Sequence, residues 1–471
     1  MRSGRPPVDP PPLRLDRTAA RPLAVQLADE RRAATTGGTL RAGDRLPSTR
    51  ALAVQLGVSR TVTAAAYDQL LAEGWLGARR GSGTYVLDTP GCSRATLPQP
   101  DDMNVALLQP GLVDLRAGAP CVEALDPRAW RRAWRAAADA PPDAAGDAVG
   151  LPAFRAAVVE HLLRHRGLPA DPGAVLATAG STAAVAELAR VLPPGAVVAM
   201  EEPGYPRAVS ALRAAGLDVV PVPVDGRGLV VDAVPAGVAA VYTTPAHQYP
   251  LGARLSAARR VALVERARRE GFLVVEDDYD GELRYDVAPL PLLAALGPDV
   301  VVHLGTASKL LTPTLGCGWA VAPPAVRAAL LEQRTATGAR PALAGQRVLA
   351  ALAAHGDLSR HLRRLRRELG ARRAAVVAAV RAAGHEPAGD AAGAHVVVAV
   401  ADEAGVVAAA ADRGIGLDGL ARHHLAGPGR SGIVLGYAGP TRADLDRVLP
   451  RLREVLAASG GPGARPLRSG R

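Results

Sequence analysis

Of the 56 basic residues in this chain, 55 are arginine and only Lys309 is lysine. The excess of Ala, Gly, Pro and Arg is what a GC-rich coding bias produces, and such a bias exchanges Lys for Arg wherever either will serve. Arginine keeps its proton near neutral pH, whereas a lysine amine can lose one if its surroundings lower its pKa. A single surviving lysine therefore marks a place where a neutral amine nucleophile is wanted, as in a Schiff base. Taken alone, it is almost as consistent with chance retention.

Three neighbouring features sharpen the reading. Lys309 closes the run Gly305-Thr306-Ala307-Ser308-Lys309, whose small and hydroxylated residues can hold phosphate oxygens while the amine reaches forward. Asp277 sits in Glu276-Asp277-Asp278-Tyr279-Asp280, at the end of the strand-like run Phe272–Glu276. Its 32-residue separation from Lys309 suits one strand-helix-strand unit, which brings both to the same sheet edge. Upstream, Ala179-Gly180-Ser181-Thr182-Ala183 starts a helix after the run Ala174–Thr178, and free N–H groups there form an anion seat. Pyridoxal phosphate chemistry needs these parts: a lysine for the imine, an acid beside the pyridine nitrogen, a donor at the ring oxygen and a phosphate cradle. Asp277 fits the acid, Tyr279 the donor, and the residues around Ser181 the cradle. An acidic run is more often a solvated loop, and a Gly-Ser-Thr start is usually only a cap. Three such features in order, joined by the only lysine, are harder to assign to coincidence.

The elements that must position these residues follow from periodicity. From 114 to 334, apolar runs (Ala196–Met200, Asp218–Val224, Ala239–Thr243, Phe272–Glu276, Val300–Leu304) alternate with helical segments. That pattern predicts a mostly parallel sheet with helices on both faces. Residues 335–457 read as a small C-terminal α/β domain with a long Arg-rich helix around 358–383, and 458–471 as a disordered tail. Residues 88–113 read as a linker.

The N-terminal part has a different design. Residues 22–37 predict a helix; Ser48 caps a second helix running to Leu56, and Gly57 makes a turn. Ser59 caps a third, running to Glu73 and stopped by Gly74, with Val62, Ala66 and Leu70 on one face. Trp75 to Val86 predicts two strands around Arg79, Arg80, Gly81 and Gly83. This order over residues 15–87 is that of a winged helix-turn-helix, whose second helix reads the major groove. Ser59, Arg60, Thr61 and Thr63 are then the base-reading candidates. Arg50, Arg79 and Arg80 suit phosphates or the minor groove, and Gly81 and Gly83 allow a tight wing.

Bulk numbers are compatible. The net charge is +11, and residues 1–88 carry 13 Arg against 8 acidic residues, so the excess is densest beside the DNA-reader pattern. Cys92, Cys121 and Cys317 show no metal or redox spacing, so no metal site is expected. No secretory signal or membrane span is visible, and the expected location is the cytoplasm.

The segments Arg41-Ala42-Gly43-Asp44-Arg45-Leu46-Pro47-Ser48, Leu56-Gly57-Val58-Ser59-Arg60-Thr61-Val62 and Gly81-Ser82-Gly83-Thr84-Tyr85-Val86 resemble the DNA-binding domain of the GntR family. Glu202-Pro203-Gly204-Tyr205, Thr244-Pro245-Ala246-His247-Gln248-Tyr249-Pro250, the acidic run with Arg284-Tyr285, and the lysine run resemble a fold-type I aminotransferase. The combination is similar to the MocR subfamily of GntR regulators. That resemblance implies a multidomain α/β homodimer: a winged helix-turn-helix fused to a fold-type I, pyridoxal-phosphate-dependent aminotransferase-like domain. It implies binding of double-stranded operator DNA and of an amine or amino acid effector. It places Lys309 as the covalent anchor, Asp277 at the pyridine nitrogen, Tyr279 and His247 near the ring oxygen, and Tyr205 on the ring face. Ser181, Thr182, Thr306 and Ser308 would face the phosphate, and Arg207 an effector carboxylate. The chain departs from the pattern at Gly316 and Ala145, where the family usually has an arginine and an aromatic residue near the phosphate. A lost contact to a charged group weakens binding by about 1.5–3 kcal/mol, so the two together cost roughly two to four decades. The carboxylate-binding arginine of transaminases aligns with Val434, with Arg430 displaced, which argues against ordinary transamination. Two alternatives remain: a working aminotransferase with a DNA-binding appendage, and a regulator whose aminotransferase-like part is only a dimerisation scaffold.

Overall fold

The computed structural model describes residues 15–19, 21–36, 39–79, 83–87, 111–141, 146–285, 290–427 and 429–459. The chain divides into two compact units, Met1–Ala106 and Leu107–Arg471.

In the first unit, α1 (Leu23–Thr36) is followed by β1 (Arg45–Leu46), α2 (Thr49–Leu56), α3 (Arg60–Ala72), β2 (Leu76–Arg79) and β3 (Gly83–Val86). Capping explains both helices of the reader. The Ser48 hydroxyl accepts from Ala51 N and the Ser59 hydroxyl from Val62 N, and Gly57 ends α2 in the left-handed conformation. The strands form the sheet β1-β3-β2. Leu27, Leu40, Leu46, Leu52, Ala66, Tyr67, Leu70, Leu76 and Val86 make the core. The buried face of α3 is Thr63, Ala66, Tyr67 and Leu70; Val62, expected on it, is only half-buried.

The second unit opens with β4 (Val113–Asp114), α4 (Pro127–Asp139) and α5 (Pro152–Arg166). There follow β5 (Val175–Thr178), α6 (Ser181–Ala189), β6 (Val197–Glu202), α7 (Pro206–Ala214), β7 (Asp218–Asp225), β8 (Gly228–Leu229) and β9 (Ala240–Thr243). Next come α8 (Ala257–Glu270), β10 (Leu273–Asp277), α9 (Leu293–Leu296), β11 (Val301–Thr306), β12 (Gly318–Val321), α10 (Pro324–Thr337), α11 (Leu343–Ala354) and α12 (Asp357–Ala382). The last elements are β13 (Pro387–Ala388), β14 (His395–Ala399), α13 (Glu403–Ala411), β15 (Ile415–Gly416), β16 (Asp418–Gly419), β17 (Gly432–Gly436) and α14 (Arg442–Ala458).

Eight strands form one sheet in the order β5-β12-β11-β10-β9-β6-β7-β8. The pairs among β11, β10, β9, β6 and β7 are parallel, as the apolar runs predict; β12 runs antiparallel between β11 and β5. Two large clusters of buried side chains cover its faces. A four-stranded sheet, β13-β14-β17-β16, makes the smaller layer. The expected boundaries meet two obstacles. β4, at the expected start of the large domain, pairs with β15, close to 300 residues later, and the boundary at 334 falls inside α10. Most of the expected linker and the tail lies outside the described residues.

Candidate functional site

The parallel strands deliver their functional residues to one edge. Asp277 ends β10, Thr306 ends β11 with Ser308 and Lys309 just beyond, and Gly180 follows β5 at the start of α6. Gly180 has φ +124°, and a Cβ on it would lie 3.5 Å from Thr306 Oγ1 and 3.9 Å from Ser308 Oγ. A Cβ on Gly318 would come within 2.7 Å of Gly180 Cα and 2.6 Å of the Gly305 oxygen. The bare backbone of β12 therefore lets the helix start and the lysine run close on each other. Thr306 Oγ1 donates to Ser308 Oγ at 2.9 Å and accepts from Ser308 N at 3.1 Å. The result is a glycine-and-hydroxyl cradle at a helix N-terminus.

Lys309 is half-buried, and its amine donates to the Gly118 carbonyl at 2.5 Å. Burial, reinforced by the nearby Arg207 charge, lowers its pKa against the opposing pull of Asp280 and Asp277. That enlarges the neutral, nucleophilic fraction. Asp277 is 3% exposed; Oδ2 accepts from the Tyr242 hydroxyl at 2.6 Å, while buried Oδ1 has no hydrogen-bond partner. Burial pushes this carboxyl up to about 6, against the lowering pull of Tyr242 and Ser181. It is still ionised at neutral pH, with one oxygen open to a cationic donor.

The remaining expected residues divide between the site and its supports. Tyr205 precedes α7, and its hydroxyl lies 3.1 Å from Thr182 Oγ1. Ser181, expected at the phosphate, is buried at the start of α6, and its side chain favours the ionised form of Asp277. Arg207 is exposed at the start of α7. Tyr279 donates to the His247 carbonyl oxygen at 3.0 Å and lies 3.1 Å from His247 Nδ1, which is 2.9 Å from Asp280 Oδ2. His247 and Tyr279, both expected near the ring oxygen, are thus linked to each other and to Asp280. Tyr249 has no role in the sequence reading beyond its motif, yet it sits among the rings: Tyr205 at 5.6 Å, Tyr279 at 5.9 Å, His395 at 5.3 Å and His423 at 5.2 Å.

The acidic run is the opposite of a solvated loop. Glu276, Asp277, Asp278, Asp280 and Glu282 are all buried. Glu276 accepts from Leu293 N and Ala294 N, Asp278 takes two bonds from Arg166, and Glu282 lies 2.7 Å from His161. The departures also have structural form. Gly316 is left-handed at φ +53°, a conformation that suits glycine. Val434 is fully buried among Val224, Leu251, Val397 and Leu420, Arg430 is exposed, and Ala145 lies outside the described residues.

In the first unit, Arg50, Arg60 and Thr61 are exposed. Thr63 is not a DNA contact: it is fully buried, and its hydroxyl donates to Thr49 O at 2.8 Å and Arg60 O at 3.0 Å. The same helical register that buries Ala66 and Tyr67 turns it inward, where it ties α3 to α2. The Ser59 hydroxyl is engaged in its cap. Gly83 opens β3 opposite Arg79, and a Cβ on it would meet Arg45 Nε at 2.9 Å. Arg45 carries no role in the sequence reading beyond its motif, although it is exposed on the wing sheet. Arg80 and Gly81 lie outside the described residues.

Such a site defines a helix-turn-helix regulator carrying an aminotransferase-like body. Residues 23–86 match the model for bacterial regulatory proteins of the gntR family, and 110–452 that for aminotransferase class I and II. The chain is 35% identical over 447 residues to the HTH-type pyridoxine biosynthesis transcriptional regulator PdxR of Corynebacterium glutamicum, covering 92% of this chain and 96% of that one. It is 34% identical over 485 residues to the probable rhizopine catabolism regulatory protein MocR of Rhizobium meliloti, covering 96% and 97%. Among solved structures, an archaeal alanine:glyoxylate aminotransferase superposes with a TM-score of 0.69 at 24% identity, over 74% of this chain and 91% of that one, which shows the fold. The chain belongs to the MocR-type GntR regulators, in which a DNA-binding head is joined to an aminotransferase class I and II body. No helix among the described residues is long and apolar enough to cross a membrane, and no metal-holding group of His, Cys, Asp or Glu occurs among them.

Proposed function

We propose that the body binds pyridoxal phosphate at Lys309 and that the loaded body, or an amine meeting it there, sets the DNA affinity of a homodimer. The observation that carries this reading is the orphaned Oδ1 of Asp277, a buried anionic oxygen at the same sheet edge as the only lysine. The residues present fit the group. Lys309 would anchor it, Asp277 would meet the ring nitrogen, and Tyr205, Tyr249 and Tyr279 would enclose the ring. Gly180, Thr182, Thr306 and Ser308 would seat the phosphate. When bound, the cofactor supplies an aldehyde for amines and a pyridine that withdraws electrons. Among the chain's own residues, burial and Arg207 lower the pKa of Lys309, and Tyr242 and Ser181 favour the ionised form of Asp277 against the burial that opposes it.

Arg50, Arg60 and Thr61 supply the exposed surface for operator DNA, with Arg45 beside the wing. An effector switches the protein only if it binds two arrangements of the dimer with different affinity. Valine at position 434, where the resemblance puts the carboxylate-binding arginine, weighs against turnover of α-amino acids as the main activity.

Borohydride reduction of the protein with added pyridoxal phosphate, followed by mass mapping, tests the cofactor reading. A pyridoxyl label on the Lys309 peptide is the expected result; an unlabelled, folded protein overturns it. For the head, Arg60→Ala is expected to abolish operator retention in a gel shift at fixed salt while leaving the fold intact.

A further inference from the structure

The pyridine-facing acid has a partner that no motif in the sequence marks. Tyr242 lies on β9, whose neighbour β10 carries Asp277; Tyr242 pairs with Val275, two residues before the acid. It is 2% exposed, and its hydroxyl reaches along the sheet edge to Oδ2 of Asp277 at 2.6 Å. A carboxylate has two chemically equivalent oxygens and can rotate between them. A short donated bond on one oxygen removes that freedom and leaves the other with a fixed direction. Here the free oxygen is Oδ1, which is buried and has no other partner.

We propose that Tyr242 is a positioning residue of the cofactor site: its hydroxyl fixes the Asp277 carboxylate and reserves Oδ1 for the ring nitrogen. The inference rests on the reading that this site takes pyridoxal phosphate. Tyr242 also acts on charge, because a hydrogen bond donated to a carboxylate favours its ionised form. Burial holds the Tyr242 phenol well above its ordinary pKa, so it stays a neutral donor throughout the working range. The other groups facing Asp277 are Ser181 at the start of α6, His303 on β11, Lys309 beyond β11, Tyr205 before α7, Tyr279 two residues on and Asp278, its neighbour in the chain. Ser181 and His303 favour the ionised acid and Asp278 opposes it. None of these groups is removed when the Tyr242 hydroxyl is deleted.

The test is a pH series of pyridoxal phosphate titrations on the full chain, read by absorbance and fluorescence. Tyr242→Phe keeps the ring and removes the donor. The expected loss of cofactor affinity at neutral pH is about tenfold or more. The pH at which affinity begins to fall on acidification should also move upward, because the unassisted carboxyl takes its proton sooner. In an Asp277→Asn background the same substitution should add almost nothing, since the group it positions is gone. Site-specific 3-fluorotyrosine in place of Tyr242, a stronger donor of nearly the same shape, should move the acid limb downward. It supplies the answer if the Phe variant folds poorly.

Unchanged affinity and pH profile in Tyr242→Phe overturn the proposal. An equal loss in the wild-type and Asp277→Asn backgrounds also overturns it, because the ring would then be acting through packing alone. Wild-type protein that takes up no pyridoxal phosphate overturns the cofactor reading itself. Uptake by wild type with an indifferent Tyr242→Phe sinks only the role of Tyr242.

Discussion

Replacing Asp277 by Asn should make the stability of the cofactor-free protein gain on wild type as pH rises towards neutral, while weakening its hold on the cofactor. The carboxyl is buried with one oxygen unpaired, and burial raises its pKa from 3.8 to about 6. A shift of about two pH units corresponds to roughly 3 kcal/mol. The sign follows from proton binding. The folded carboxyl keeps its proton to a higher pH than the unfolded one, so stability falls as pH rises from about 4 to 6 and the penalty is complete above that. Roughly 2 kcal/mol of it develops between about pH 4.5 and pH 7.5. Asparagine does not ionise; its amide leaves a buried donor unpaired, at a cost of about 1–3 kcal/mol that does not change with pH. The decisive quantity is therefore the difference between the two proteins as a function of pH. Urea unfolding of both, without cofactor, should show the gap moving by roughly 2 kcal/mol in favour of Asn over that range. Titrating groups remote from Asp277 are common to both and cancel. A flat gap, or one moving towards wild type, refutes the argument that Asp277 is an uncompensated buried charge. Titration with pyridoxal phosphate should show that the Asn variant is the weaker binder.

Gly180→Ala should weaken pyridoxal phosphate binding about tenfold or more, because the methyl enters the cradle beside Thr306 and Ser308 at a strained φ. Pyridoxal, which lacks the phosphate, should be nearly spared; equal losses for both ligands would remove Gly180 from the phosphate seat. Thr63→Val should cost the head about 1 kcal/mol through the lost bond to Thr49 O, with operator affinity unchanged in a gel shift at matched folded fraction. Weaker operator binding in that variant would restore Thr63 to the DNA surface. Arg31 is 2% exposed and its three guanidinium nitrogens have no hydrogen-bond partner among the described residues, so Arg31→Leu should stabilise the head by about 1–4 kcal/mol. Calorimetry of the full chain should show the head melting several degrees higher; a lower melting point would mean that the guanidinium has partners.

The legible parts of the sequence are those whose signal is local. Ser48, Gly57 and Ser59 announce the reader because caps and turns are written in adjacent residues. Asp277 and Lys309 are legible as a pair because one strand-helix-strand unit has a typical length. Thr63 misleads because its polarity suggests exposure, while the period set by Ala66, Tyr67 and Leu70 turns it inward. Tyr242 is hidden because both faces of β9 are buried, so no alternation marks which side chain reaches the acid. The acid run 276–282 resembles a solvated loop because its partners, Arg166, His161 and His247, lie far away in sequence. The pairing of β4 with β15 has the same cause. Non-local partners set these side chains, and a single sequence carries no sign of them.

What the site keeps and what it lacks argue for sensing over turnover. What it keeps is an amine with lowered pKa, a buried acid with a free oxygen, and three tyrosines, Tyr205, Tyr249 and Tyr279, whose rings pack in a row. Where the resemblance puts the carboxylate-binding arginine the chain has Val434, fully buried among Val224, Leu251, Val397 and Leu420. A transaminase must hold an amino acid through both its amine and its carboxylate to orient the bond that breaks, since misplacement alone can cost about a hundredfold in rate. A sensor needs only a difference in affinity between two states, which an amine meeting Lys309 can supply. Val434→Arg is therefore expected to do little for turnover, because the new guanidinium would be buried directly opposite Asp418 on β16, an acid that would compete with a substrate carboxylate for it.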